Sequence, residues 1–280
     1  MTSFQAGVAT DLGMATVPVQ RILGRNPGPM TGPGTNSYLI GRQRLCLIDP
    51  GPANREQLAS FVQIIADREL VYILATHTHG DHSPGALALQ EATGAELVGM
   101  IAAPGPAHDA SFKPIRSWRG GESIQCEHYT LELVHTPGHV HNHLCIYLRE
   151  EKLLFTGDHV LQGTTSVILP PDGDMAAYLA SLEMLRTRDL RQLAPGHGGL
   201  IDEPYRELEK LIAHRLRRER KVLDGVADLG PCDLERLVGR VYDAVDPAMY
   251  PWAKKTMLAH LIKLQQEGQV VADGSNWSRC

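Results

Sequence analysis

Cysteine is scarce in this 280-residue chain and poorly placed for a framework. Cys46, Cys126, Cys145, Cys232 and Cys280 are odd in number and scattered, and no two form a C-x-x-C pair. This argues against a disulfide scaffold and against a thiolate zinc site. Aromatic residues make up only 5% of the chain, which leaves few platforms for stacking nucleic-acid bases. No uninterrupted apolar run approaches bilayer length, so no membrane span is expected. Met1 to Gly13 has no basic patch followed by an apolar core, so no signal peptide is expected and the cytoplasm is the default location. The net charge is −5, with the acidic excess in residues 1–202 and residues 203–280 close to neutral. No block is basic enough to announce nucleic acid by itself.

What is present suffices for a full core. With 43% hydrophobic residues, the length suits one large domain or a large one followed by a small one. Val17 to Leu23 reads as a first strand, followed by a Gly/Pro-rich loop from Asn26 to Asn36. Strands at Ser37 to Ile40 and Arg44 to Ile48 lead to a helix capped by Asn54, running to Asp67 with Leu58, Phe61, Val62 and Ile65 on its apolar face. The apolar run Val71 to Ala75 reads as a buried strand. Pro84 opens the next helix, with Leu87 and Leu89 apolar and Gly94 closing it, before a short strand at Glu96 to Val98. Residues 102–121 read as irregular. Strands then recur at 122–124, 130–134, 143–148, 152–155 and 191–194, with a helix from Met175 to Arg186. This alternation indicates an α/β domain.

The chemistry concentrates at strand ends. Thr76-His77-Thr78-His79-Gly80-Asp81-His82 follows the strand at 71–75. His77 and His79, two apart, point the same way in extended backbone and can grip one ion. Gly80 lets the chain turn, and Asp81 and His82 can then reach a second ion. Imidazole and carboxylate are typical zinc ligands. Three further strand ends deliver His139 in Thr-Pro-Gly-His, Asp158 in Thr-Gly-Asp and His197 in Pro-Gly-His, each flanked by Gly or Pro. We expect His77, His79 and His139 at one metal, Asp81, His82 and His197 at the other, and Asp158 bridging them. Two ions about 3.5–4 Å apart can share a hydroxide whose pKa falls to about 7, with each metal polarising the scissile carbonyl or phosphoryl oxygen. The expected cofactor is two Zn2+, although the same ligands accept iron or manganese. Asp81 and Asp158 are the expected catalytic carboxylates.

The order H-x-H-x-D-H, T-P-G-H, G-D and G-H resembles the metallo-β-lactamase superfamily over roughly residues 15–202. The resemblance implies an αββα sandwich with a dinuclear zinc cleft at one edge of its two sheets. It also implies that Asp49 supports the ligand loop from behind. True β-lactamases of the family lack the bridging aspartate, so Asp158 argues against antibiotic hydrolysis. Asn26 to Gly41 is similar to the β-lactamase-like protein 2 subgroup, which includes single-strand-selective endoribonucleases and has related fungal thioesterases acting on acyl carrier protein. That subgroup carries a small C-terminal winged-helix-like domain. Asn142 departs from it, since an acidic residue is expected in Gly-His-x-x-Asp-His.

The tail reads the same way from its own residues. Tyr205, Leu208, Leu211, Ile212, Leu216, Val222 and Leu223 recur at helical spacing over 204–226, with Arg215, Arg217, Arg218, Arg220 and Lys221 on the outer side, offset by Glu219. Gly230-Pro231 breaks that helix, Asp233 caps a second through Val245, and Met249 to Gln266 forms a third. Val270-Val271, a turn at Asp273-Gly274 and a returning strand at Trp277 complete the winged-helix order. Tyr250, Trp252 and Trp277 are expected in packing. The expected domains are therefore 1–202, catalytic, and 203–280, winged-helix-like.

Two reactions suit such a site: hydrolysis of a small-molecule or carrier-bound acyl compound, a thioester above all, and cleavage of single-stranded RNA. The first needs no proton donor, whereas the second benefits from one, for which His141, His143 and His159 are the nearby candidates. A third reading makes the tail a docking module for nucleic acid or protein. Pairing of two chains through the helical tail is left open.

Overall fold

Strands buried on both faces must be covered on both, as the runs Tyr38 to Ile40 and Leu45 to Ile48 are. The computed structural model describes residues 5–280; residues 1–4, the start of the stretch read for an export signal, lie outside them. Contacts divide the chain into two compact units. One comprises the chain to Thr136 with Asn142–Thr165 and Asp189–Pro204, the other Pro137–His141, Ser166–Arg188 and Tyr205–Cys280.

In the first unit, β1 (Ala9–Asp11), β2 (Val19–Leu23), β3 (Asn36–Ile40), β4 (Arg44–Ile48), β5 (Glu69–Leu74) and β6 (Glu96–Val98) form one sheet in chain order. The strands are antiparallel as far as β4 and parallel from β4 to β6. Parallel neighbours need crossovers, which α1 (Arg55–Ile65) and α2 (Gly85–Thr93) supply. A second sheet has the order β11-β10-β9-β8-β7, built from β7 (Ser123–Cys126), β8 (Tyr129–His135), β9 (Leu144–Leu148), β10 (Leu153–Gly157) and β11 (Gln192–Pro195). Tyr38, Ile40, Cys46 and Ile48 pack with Leu131, Leu133, Ile146, Leu148 and Phe155 in one core. The alternate residues Leu39, Leu45 and Leu47 pack with Phe61, Ile65 and Leu89 of α1 and α2 in another. Fully burying a side chain such as Phe61 contributes about 1.5–3 kcal/mol.

Several boundaries differ from expectation for local reasons. Val17 is not in β2, because the backbone N–H groups of Ala15, Thr16 and Val17 all donate to the Glu151 carboxylate. Asn54 caps α1 through Gln57 N, but the helix stops at Ile65, where Ala66 takes φ 54° and its N–H returns to the Val62 carbonyl. Val62 is exposed, not on the buried face, and so is Leu87 of α2; Leu89 alone of the expected pair is buried.

The second unit contains α3 (Met175–Arg186), α4 (Pro204–Leu229), α5 (Leu234–Val241), α6 (Tyr250–Gln266) and the hairpin β12 (Val270–Asp273) with β13 (Asn276–Arg279). Val222, Val226, Leu237, Val241, Met257, Leu261, Leu264, Val270 and Trp277 form its core. Asp233 caps α5, as expected, but the helix ends at Val241 and not at Val245. Asp246 then caps a 3-10 turn, Pro247–Met249, that leads into α6. Trp277 is buried, whereas Trp252 lies largely in solvent.

The expected basic face of α4 does not exist as one surface. Arg215 is buried, donates to the Ser166 carbonyl and lies 5.3 Å from the Tyr178 ring. Arg218 donates to the Val241 carbonyl and stacks on Tyr242 at 4.0 Å. Buried Glu219 binds Lys263 at 2.7 Å and His260 at 3.3 Å, while Leu216, expected inside, is exposed. Of the cations that remain outward, Arg220 pairs with Asp224 and Lys221 with Asp243. Sequence spacing read the helix correctly but assigned its faces without knowing that two arginines would satisfy buried carbonyls with their guanidinium forks.

Candidate metal centre

The parallel strand β5 ends at Leu74, and the chain leaves it through Ala75 and Thr76, both buried. Asp49, just beyond the end of neighbouring β4, receives that segment. Its Oδ1 accepts from Thr76 N at 2.7 Å, and its Oδ2 lies 2.8 Å from Thr76 Oγ1 and 2.9 Å from His82 Nδ1. Asp49 is 1% exposed and sits at φ 49°, a conformation aspartate tolerates better than most residues. One carboxylate thus ties down both ends of the ligand loop.

Four of the five histidines expected to ligate have Nδ1 engaged behind them. His77 Nδ1 meets Thr76 Oγ1 at 3.1 Å, His82 Nδ1 meets Asp49, His139 Nδ1 meets the Val167 carbonyl at 2.6 Å, and His197 Nδ1 meets the Gly34 carbonyl at 3.4 Å. This turns Nε2 of each toward a common space, the arrangement that fixes the tautomer of a metal-binding imidazole. Three sets of side chains bring one ligand atom each within 4.8 Å of the others: His77, His79 and His139; His77, His82 and Asp158; Asp81, His82 and His197. All seven side chains expected at the site are in these sets. His77 Nε2 lies 3.0 Å from His79 Nδ1. His197 Nε2 is 3.2 Å from Asp81 Oδ2 and 3.3 Å from Asp158 Oδ1.

Whether these residues fit a cation is tested by His82. Its Nε2 is fully buried and makes no hydrogen bond, yet it lies 3.4 Å from both Asp81 Oδ2 and Asp158 Oδ1. A buried donor or acceptor left in this way is costly, and a positive ion among these atoms would satisfy it. The electrostatics agree. Burial alone would lower the His197 pKa, but the Asp158 and Asp81 carboxylates outweigh it and raise it to about 9. Burial likewise opposes the charged form of His82, and Asp81, Asp158 and Asp49 overcome it, holding its pKa well above the usual histidine value. Burial would raise the Asp81 and Asp158 pKa values, but the neighbouring histidines pull both below the usual carboxylate range. Three carboxylates converge on one imidazole, so the pocket is built to hold positive charge.

Close approach is part of the geometry. A Cβ on Gly157, at φ +45°, would lie 2.5 Å from Thr76 Oγ1 and 2.8 Å from His143 Nε2, and one on Gly196 would lie 2.9 Å from Asp158 Oδ1 and from His82 Cε1. The glycines flanking Asp158 and His197 therefore let the ends of β10 and β11 reach the ligand loop.

Sequence reasoning missed a further layer. His108, within the segment read as irregular, pairs with His79 through an isolated β-bridge, and its ring stacks on that of His79 with centroids 5.4 Å apart. Thr78 Oγ1 lies 2.9 Å from His108 Nδ1, and Asn142 Nδ2 donates to Thr78 Oγ1 at 3.0 Å. Nothing in the spacing of single residues marks His108; only the fold brings it over the ligand loop. Of the three histidines considered as proton donors, His143 and His159 are fully buried and His141 is exposed.

Two face-to-face sheets with strand-end histidines and aspartates converging on one pocket define a metallohydrolase of the α/β sandwich type. The sequence model of the metallo-beta-lactamase superfamily matches residues 30–197, and that of the beta-lactamase associated winged helix domain matches residues 234–277. The chain belongs to the metallo-β-lactamase superfamily, with an αββα sandwich followed by a winged-helix-like tail. It is 30% identical to a beta-lactamase-like protein 2 homolog of Caenorhabditis elegans, over 88% of this chain and 82% of that protein. It is also 30% identical to an atrochrysone carboxyl ACP thioesterase of a Cryptosporiopsis species, over 90% of this chain and 81% of the relative. A beta-lactamase domain protein from Burkholderia ambifaria superposes with a TM-score of 0.81 at 21% identity, covering 100% of this chain and 95% of that one, a likeness of fold. Among the described residues no helix is long and apolar enough to cross a membrane.

Proposed function

We propose that this hydrolase cleaves a thioester or a related acyl substrate, small or carrier-bound, using two zinc ions. His77, His79 and His139 hold one ion, Asp81, His82 and His197 hold the other, and Asp158 is shared. The observation that carries the reading is the buried, unbonded His82 Nε2 between two carboxylates, in a pocket otherwise lined by imidazole nitrogens. Metal bound there supplies Lewis acidity for a carbonyl oxygen and water of lowered pKa as nucleophile.

The chain's own residues set the stage for that chemistry. Asp49 orients His82 and keeps its proton on Nδ1, leaving Nε2 to ligate. Thr76 Oγ1 links Asp49 to His77, so both ligand histidines answer to one buried carboxylate. No serine, threonine or cysteine nucleophile is required, and the acyl-carrier thioesterase among the relatives supports a thioester over other acyl substrates. In this reading residues 1–202 are the catalytic domain, 203–280 the winged-helix-like one, and the protein acts in the cytoplasm.

RNA cleavage is the weaker reading, because the basic face that would have favoured it has turned two of its arginines inward. The test is turnover of an acyl thioester and of labelled single-stranded RNA on one zinc-loaded preparation, with Asp81→Ala as control. Thioester turnover lost in the control is expected. Cleavage of RNA alone, lost in the same control, would overturn the proposal.

A further inference from the structure

The loop Pro137–His141, which carries the expected ligand His139, belongs by its contacts to the same unit as α3 and α4. Its backbone is fastened to α3. Ser181 Oγ donates to the Pro137 carbonyl at 2.8 Å, and Asp174 N donates to the Gly138 carbonyl at 2.9 Å. A Cβ on Gly138, at φ +147°, would lie 2.4 Å from Tyr178 Cα, so the loop rests directly on that helix.

The His139 ring is fixed separately. Its Nδ1 lies 2.6 Å from the Val167 carbonyl, and a carbonyl can only accept, so Nδ1 carries the proton and Nε2 keeps the lone pair that ligation needs. Val167 belongs to no helix or strand, so its carbonyl takes its place from whatever grips the chain around it.

Arg215 of α4 supplies that grip. Its Nη2 donates to the carbonyl of Ser166, one peptide before the Val167 carbonyl, and successive Cα atoms are only about 3.8 Å apart. Arg215 and Ser166 are each 2% exposed. Arg215 Cζ lies 5.3 Å from the Tyr178 ring centroid, so one residue of α3 meets the His139 loop with its backbone and Arg215 with its ring. Burying a guanidinium is costly, the more so because Arg215 Nε makes no hydrogen bond. An apolar side chain would fill the same space at less cost, and what the arginine adds is its hold on the Ser166 carbonyl.

We propose that Arg215 is a positioning residue for His139. By gripping the Ser166 peptide it fixes the Val167 carbonyl that aims the imidazole, and α4 thereby governs the affinity of the ion bound by His77, His79 and His139. The ion side of this inference rests on the ligand assignment proposed above; the aim of the ring does not. The imidazoles of His77, His82 and His197 are backed by Thr76, Asp49 and the Gly34 carbonyl. The effect of Arg215 therefore falls on one ion of the two.

Zinc affinities of the full chain, read by competition with a chromophoric chelator, test this in a cycle of wild type, Arg215→Met, His139→Ala and the double variant. Arg215→Met should weaken one binding event by about ten-fold, the low end for a partner behind a ligand, and leave the other within about two-fold. In the His139→Ala background the same substitution should change nothing further. Arg215→Lys, which keeps a donor, should lose less, and it replaces Arg215→Met in the cycle if that variant does not fold. In the metal-free protein, long-range 1H–15N spectra should show the His139 proton on Nδ1, exchanging with solvent roughly ten-fold faster in the Arg215 variant. A folded Arg215→Met that binds both ions as the wild type does overturns the proposal. So does a loss of equal size with and without His139, which would make Arg215 a support of the fold alone. Zinc binding that His139→Ala leaves untouched sinks the ligand assignment above, and the ring proton then decides the rest: an exchange rate that the Arg215 variant does not change overturns the positioning role as well.

Discussion

Asp49 shows how one side chain can order a candidate metal pocket without being one of its expected ligands. It accepts from a backbone amide, a hydroxyl and an imidazole, and its negative charge helps hold His82 in the orientation that ligation needs. Asn tolerates the left-handed backbone at this position, so Asp49→Asn tests the charge and the acceptor geometry and not the turn. The expected outcome is a 10–100-fold weaker zinc affinity, read by competition with a chromophoric chelator, with about 1–3 kcal/mol lost from the metal-free protein. An unchanged affinity would show that Asp49 only closes a turn. The titration of the pocket gives a second prediction at this scale. In the metal-free protein His197 has its pKa raised to about 9 from the ordinary histidine value of 6.5, so its contribution to stability is present below 6.5 and is lost as pH rises through 9. Asp81 and Asp158 have the opposite sign: their lowered pKa values contribute above the ordinary aspartate value of 3.8, and the contribution is lost as pH falls toward the folded values. Zinc must displace the histidine protons, so the increase in melting temperature that zinc produces over a chelated control should grow between pH 6 and pH 9, as an order-of-magnitude window. A zinc effect independent of pH over that range would mean that the histidines do not ligate.

At the scale of elements, the pocket was legible because strand ends are legible. Each expected ligand follows an apolar run, and β5, β8, β10 and β11 do end where those runs end, within one or two residues. The layer behind the ligands was not legible, because it depends on contacts between segments distant in sequence. His108 meets Thr78 across 30 residues, and Asn142 meets Thr78 across 64. Helix α4 failed in the opposite way: its periodicity was plain, but periodicity cannot say that an arginine will bury itself on a carbonyl. Glu219 gives the sharpest contrast there. It is buried against His260 and Lys263, and removing it leaves two cationic or polar partners without their acceptor. Glu219→Ala should cost about 3–5 kcal/mol in denaturant unfolding, the penalty for breaking a buried pair, whereas Arg217→Ala on the exposed side should stay within about 0.5 kcal/mol. Equal effects would return Glu219 to the surface role that spacing alone assigned it.

For the molecule as a whole, the pocket is a concentration of like charge that the fold tolerates only with compensation. Asp49, Asp81 and Asp158 gather around His82, and without metal the compensation comes from protons on histidine, which the fold holds at an unusually high pKa. Any ion that binds the native state and not the unfolded chain adds stability by mass action, about 2.7 kcal/mol when free metal is 100 times its dissociation constant. In a chain of this length each kcal/mol is worth about 2–4 °C. Zinc added to chelator-stripped protein should therefore raise the melting temperature by roughly 5–10 °C at that saturation. The core of the second unit, built from Val222, Leu237, Met257 and Trp277, contains none of the carboxylates that converge on His82. Where calorimetry resolves two transitions, the one raised by zinc should be the one lowered in Asp49→Asn, and Glu219→Ala should lower the other. A zinc shift that survives in Asp81→Ala with its full size would place the bound ion outside the pocket and remove the basis for the hydrolase chemistry proposed here.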